Sequence, residues 1–252
     1  MTRPTVLFLG GNGHDPVRLE GVRGVLSAWD APFDILELTY PRASTYDELL
    51  DALEASCAQW ESEQAGGLVY ATGIGGLVAL SLRARGALAE HPLIIQGAVL
   101  WGLERRWFPR IMRLPGMPQL LTQAFRSTRI QKRFKAHHLL TEPTLDWSKR
   151  FFAGYGDAEA FASWFRWLTP ALLRRLEREI PARTGALADV VAWWGQHDSV
   201  VSAEELRLTE RALGVQIPLR TFAGWGHYPM IDDPEDWVAE VRDVLETAGA
   251  IS

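Results

Sequence analysis

The 252-residue chain has one cysteine, Cys57, so no disulfide can form within it and the fold needs no oxidising compartment. The thiol falls in the helical pattern "DELLDALEASCAQW" and is expected to be a buried core group. Excess positive charge is also lacking: 26 Lys and Arg stand against 31 Asp and Glu, a net charge of -5 on a mixed surface. Nucleic-acid binding depends on a strongly basic footprint, and none is expected. No apolar run reaches the ~18 residues a membrane-spanning helix requires. "MTRPTVLFLGG" enters an apolar strand without the features of a signal peptide, so the expected location is cytoplasmic. Internal repeats and low-complexity tracts are missing. "GGNGHD" is neither a complete GxGxxG nor a lysine-bearing P-loop, which argues against nucleotide binding. His137 and His138 are adjacent, with no third ligand at a familiar spacing, so neither a metal nor any other cofactor is expected.

What is present is ordinary globular composition, 47% hydrophobic and 23% charged, long enough for one large core plus an insertion. "TVLFLG" (5–10), "FDILELTY" (33–40), "GGLVYAT" (66–72), "PLIIQGAVLWGL" (92–103), "DVVAWWGQHD" (189–198) and "IPLRTFAGWG" (217–226) read as strands, the first a continuous apolar run suited to a sheet covered on both faces. Helical patterns follow the second, third, fifth and sixth runs; Thr45 and Glu48 form a capping-box pattern, and Gly86 can end the helix after "GIGG". This alternation predicts an α/β fold, a mostly parallel sheet with helices on both faces.

Between the fourth and fifth strands the character changes. Residues 104–186 have helical periodicity and aromatic faces with no convincing strand, so they are expected to form a helical cap inserted into a core of residues 1–103 and 187–252. From Arg105 to Lys135 this segment carries nine cations and no acid. The cluster fits either a solvated helix face or a surface that steers an anionic or carrier-linked substrate. Trp107, Phe108 and Trp164 are candidates to line an apolar pocket beneath the cap.

Three loops after strands would meet at the carboxyl edge of a parallel sheet, where such folds place their sites. They are the turn "ATGIG" at Gly73, "GQHDSV" with Asp198, and "AGWGHYP" with His227. The order of turn, acid and histidine, with a helical insertion after the fourth strand, resembles the α/β-hydrolase superfamily over nearly the whole chain. The resemblance implies His227 as general base and Asp198 as the group that orients it, although an aspartate before "SAEEL" also suits a helix cap. It further implies an oxyanion hole from the backbone N–H groups of Asn12, in "LGGNGHD", and Ile74.

The largest absence is then the family's nucleophile. Its turn reads GxSxG, whereas here Ala71 takes the first glycine position, Gly75 the last, and Gly73 the place of serine. Thr72 precedes that place and projects elsewhere; His197, beside Asp198, is expected at the surface. The chain therefore reads as a hydrolase-like protein acting on a small apolar ester, thioester or activated carbonyl compound. Its acyl-enzyme chemistry would be impaired, or replaced by acid–base catalysis from His227 and Asp198. The alternative is a non-catalytic pseudo-hydrolase that keeps the pocket for a ligand.

Overall fold

The computed structural model describes residues 3–11, 17–64, 66–98, 101–154, 158–183 and 185–251. Six strands form one sheet: β1 (Thr5–Leu9), β2 (Asp34–Glu37), β3 (Leu68–Thr72), β4 (Leu93–Gln96), β5 (Val190–Gly195) and β6 (Leu219–Phe222), in the order β2-β1-β3-β4-β5-β6. Every neighbouring pair is parallel. Period-two alternation sends successive side chains into two separate cores. Val6, Phe8, Leu68, Tyr70 and Ile94 enter one, while Leu7, Leu9, Val69, Ala71 and Ile95 enter the other. Being buried on both faces, the inner strands β1, β3 and β4 are apolar at nearly every position instead of every second one, whereas the edge strands β2 and β6 are partly exposed.

On the first face lie α1 (Glu20–Ala28), α11 (Pro229–Asp232) and α12 (Pro234–Thr247), which contribute Val22, Leu26, Met230, Trp237 and Val241. On the second lie α2 (Tyr46–Glu63), α3 (Gly75–Arg85) and α10 (Ala203–Leu213). Local signals set their ends. Thr45 accepts from the Glu48 N–H at 3.1 Å, but the Glu48 carboxylate takes the N–H of Ser44 at 2.8 Å, so the expected box is shifted by one residue. A complete capping box starts α10 at Ser202 and Glu205. Gly86 ends α3 at φ 101°. Cys57 is buried, and burial pushes its thiol up to about 12, as suits an inert core group.

Two expectations need correction. The fourth strand stops at Gln96, since Gly97 turns the chain out of the sheet at φ 53°. A helix, α1, also follows the first glycine loop; its N-cap, Leu19, makes no side-chain capping bond, so no start signal marked it.

Between β4 and β5 the described residues form helices joined by short loops, with no strand: α4 (Trp107–Met112), α5 (Met117–Ala124), α6 (Thr128–His138), α7 (Leu145–Gly154), α8 (Ala158–Trp167) and α9 (Pro170–Ala182). The chain's return to the sheet is tied down by Arg83 at the end of α3. Its buried guanidinium donates to the carbonyls of Leu88, Ala89, His91, Ala186 and Ala188 at 2.6–3.4 Å. Among the described residues no helix is long and apolar enough to cross a membrane.

Candidate active site

β3 delivers the chain to a sharp turn at Gly73, where φ is 53°, and α3 begins two residues later. Glycine holds this backbone without strain, whereas any residue with a side chain would be strained there. The turn is also crowded. A Cβ at Gly75 would lie 2.4 Å from the Leu9 carbonyl oxygen, so the start of α3 passes directly over the end of β1. Gly11 is pressed against the same turn: a Cβ there would lie 3.1 Å from the Thr72 oxygen and 3.6 Å from the Ile74 nitrogen. The Ile74 amide thus sits beside the β1 loop. Asn12, expected to donate the second amide, lies outside the described residues.

β5 and β6 bring up the other two groups. The Asp198 Oδ1 accepts from the N–H groups of Val200 and Val201 at 2.8 and 2.9 Å, and its Oδ2 is 2.9 Å from His227 Nδ1. The carboxylate therefore shapes the turn before α10, whose N-cap is Ser202 and not Asp198, and also contacts the imidazole. With Nδ1–H donating to Asp198, Nε2 of His227 is the basic nitrogen. The Asp198 side chain is fully buried and that of His227 is 10% exposed. β4 closes the pair from the side: Gln96 Nε2 donates to the His227 carbonyl at 3.0 Å, and a Cβ at Gly97 would lie 3.2 Å from both Asp198 Oδ2 and His227 Nδ1. Thr72 is buried with no hydrogen-bond partner for its hydroxyl among the described residues, and His197 is exposed.

The cap supplies a residue that sequence reasoning assigned only to a failed metal motif. The His138 ring, at the end of α6, stacks on Phe134 with centroids 3.8 Å apart and stands edge-on to His227 at 5.7 Å. Its Nδ1 lies 2.9 Å from the Phe134 carbonyl and must donate to it, which leaves Nε2 as an acceptor. Burial, together with the adjacent His227, pushes this imidazole down to about 3. The cap is pinned here by Asp232, whose Oδ1 accepts from the Leu140 and Thr141 N–H groups at 2.8 and 3.0 Å and from the Thr141 hydroxyl at 3.0 Å. Burial raises the Asp232 carboxyl above its ordinary range. Nothing in the local sequence signals the approach of His138, because it depends on how α6 docks.

The expected pocket residues part company. Trp164 is buried against Tyr40, with centroids 5.0 Å apart, and the Tyr40 hydroxyl donates to the Gly10 carbonyl at 2.9 Å, joining the cap to the β1 loop. Phe108 is half-buried and packs edge-on against Phe165 at 5.3 Å. Trp107 meets Phe108 edge-on at 5.8 Å but is 71% exposed, so most of its ring faces solvent. The nine cations divide as well. Arg106 pairs with Glu205, Lys135 with Glu142 and Arg105 with Glu104, and Arg113 donates to the Phe165 and Leu168 carbonyls. Arg110, Arg126, Arg129, Lys132 and Arg133 are exposed and have no ion-pair partner among the described residues.

A doubly covered parallel sheet with a buried Asp–His pair and a tight strand-to-helix turn at its carboxyl edge defines an α/β protein of the hydrolase plan. The chain belongs to the Alpha/beta hydrolase family, whose family model matches residues 6–241. Among solved structures, it is similar to a haloalkane dehalogenase, DbeA, from Bradyrhizobium elkani, at 19% identity and a TM-score of 0.69, covering 99% of this chain and 92% of that one. It is also similar to a membrane phospholipase A described as a bacterial virulence factor, at 18% identity and a TM-score of 0.62, covering 99% and 80%. No curated protein matches the sequence.

Proposed function

We propose that this member of the family acts on a small apolar ester, thioester or activated carbonyl compound, with Gly73 standing where the family carries its nucleophile and with acid–base catalysis by His227 and Asp198. The observation that carries this reading is the 2.9 Å His227–Asp198 hydrogen bond, with the second carboxylate oxygen held by two backbone amides. A receptor has no use for so completely ordered a pair. In the proposed reaction, water occupies the space that a serine side chain would fill. His227 Nε2 takes a proton from it while the oxygen adds to the carbonyl carbon. The resulting oxyanion is stabilised by the Ile74 amide, joined by that of Asn12. Collapse expels the alkoxide or thiolate, which recovers the proton from His227, so no acyl-enzyme forms. Phe108 and Trp164 line the apolar side of the pocket.

The test is a burst and turnover assay on p-nitrophenyl esters and thioesters, comparing the parent with Gly73→Ser and placing His227→Ala in each background. Gly73→Ser is expected to give a His227-dependent burst and to raise turnover by about 10³-fold or more. If both backgrounds stay silent while apolar ligands raise Tm, the protein is a non-catalytic binding member of the family.

A further inference from the structure

The first three helices of the cap bring exposed apolar side chains and exposed cations together in one stretch of chain. Eight large apolar side chains are exposed among the described residues; Trp29 and Leu36 lie on the core, and the other six fall between residues 107 and 145. On the core, Arg85 pairs with Asp47, Asp51 and Glu54 and Arg242 with Glu246, and Arg211 is exposed with no ion-pair partner among the described residues. On the cap nine exposed cations have no ion-pair partner among the described residues, and five of them, Arg110, Arg126, Arg129, Lys132 and Arg133, fall in the same stretch as the exposed apolar side chains. Trp107, Arg110 and Leu114 follow one line along and just beyond α4, and Arg126, Arg129, Ile130 and Arg133 follow another into α6. Between these stretches, α5 exposes Leu120.

We propose that this face of the cap docks on an anionic lipid surface, with Trp107, Leu114, Leu120 and Ile130 entering the headgroup layer and the unpaired arginines engaging lipid phosphates. Helices that lie in the plane of a bilayer carry this mixture of cations and separated apolar side chains, and tryptophan suits the boundary because its ring is apolar and its N–H is polar. The four apolar side chains are separated along the chain, one on each of α4, α5 and α6 and Leu114 in the turn after α4. A fluid headgroup layer accepts such isolated tips, whereas a folded acidic partner would need a matching pocket for each. The inference stands apart from the chemistry at Gly73, since it uses none of the residues in that site.

The experiment is co-sedimentation of the full chain with phosphatidylcholine vesicles, with and without phosphatidylglycerol, at low and high salt. The protein is expected to sediment with the anionic vesicles alone. Each cation close to such a surface is worth about fivefold in binding, so Arg110→Gln with Arg129→Gln and Arg133→Gln lowers partition on the order of 100-fold. Trp107→Ala with Leu120→Ala lowers it by about tenfold or more through lost apolar burial. All five side chains are exposed, so both variants are expected to keep the parent's Tm, which circular dichroism checks. Failure to sediment with anionic vesicles at low salt overturns the proposal. So does binding that the Trp107 and Leu120 changes leave intact, which would leave charge as the whole attraction with no apolar side chain entering the headgroup layer.

Discussion

Burial holds the His138 imidazole neutral far below the pH at which a free histidine takes up a proton, and this makes the ring a source of acid sensitivity. The unfolded chain binds that proton below about 6.5, while the folded chain resists until about 3. The contribution to stability is therefore complete above about 6.5 and is lost as pH falls, by about 1.4 kcal/mol per unit. The groups around the ring are His227 and His137, which oppose its protonation, and Asp198 and the Phe134 carbonyl, which favour it. His138→Phe keeps an aromatic ring on Phe134 and removes the proton site. Denaturant titrations at pH 7 and pH 5 are expected to show the parent losing about 2 kcal/mol more than the variant; equal losses would mean that the native ring takes up its proton at the same pH as the unfolded chain. At this scale the sequence exposed Asp198 and His227, because each ends a strand in a distinctive loop. It hid His138, whose neighbours are set by docking between distant segments.

Arg83 shows how one element can hold others in place. Its charge lies at the end of α3, where it takes five carbonyls from two loops, one of which brings the chain from α9 back to β5. Arg83→Met would leave those buried acceptors short of donors, at a cost of about 3 kcal/mol or more. Tm is expected to fall by about 6 °C or more, read by circular dichroism; a Tm at or above the parent's would reject the staple. The elements themselves were largely legible. Apolar runs marked the inner strands because both of their faces are covered, and the starts of α2 and α10 carry side-chain caps. α1 was missed because Leu19 offers no cap, and β4 was read too long because apolar residues continue past the turn at Gly97.

For the whole molecule, the contact of Trp164 with Tyr40, and of Tyr40 with Gly10, means that cap and β1 loop share one attachment. Tyr40→Phe keeps the ring and removes the hydrogen bond, at a cost of about 1 kcal/mol. Hydrogen exchange is expected to quicken together at the Gly11 amide and in α8; a change in only one of them would separate the two. The cap's charge has a longer reach. Of a net charge of -5, residues 105–135 contribute +9, so the remainder of the chain carries -14. The molecule is thus an electric dipole with the cap at its positive pole. Over distances comparable with the Debye length, about 8 Å in physiological salt, a negatively charged wall exerts a torque on it before any atom touches. Tumbling is biased so that the cap leads and the acidic body trails, and fewer encounters are spent in the wrong orientation.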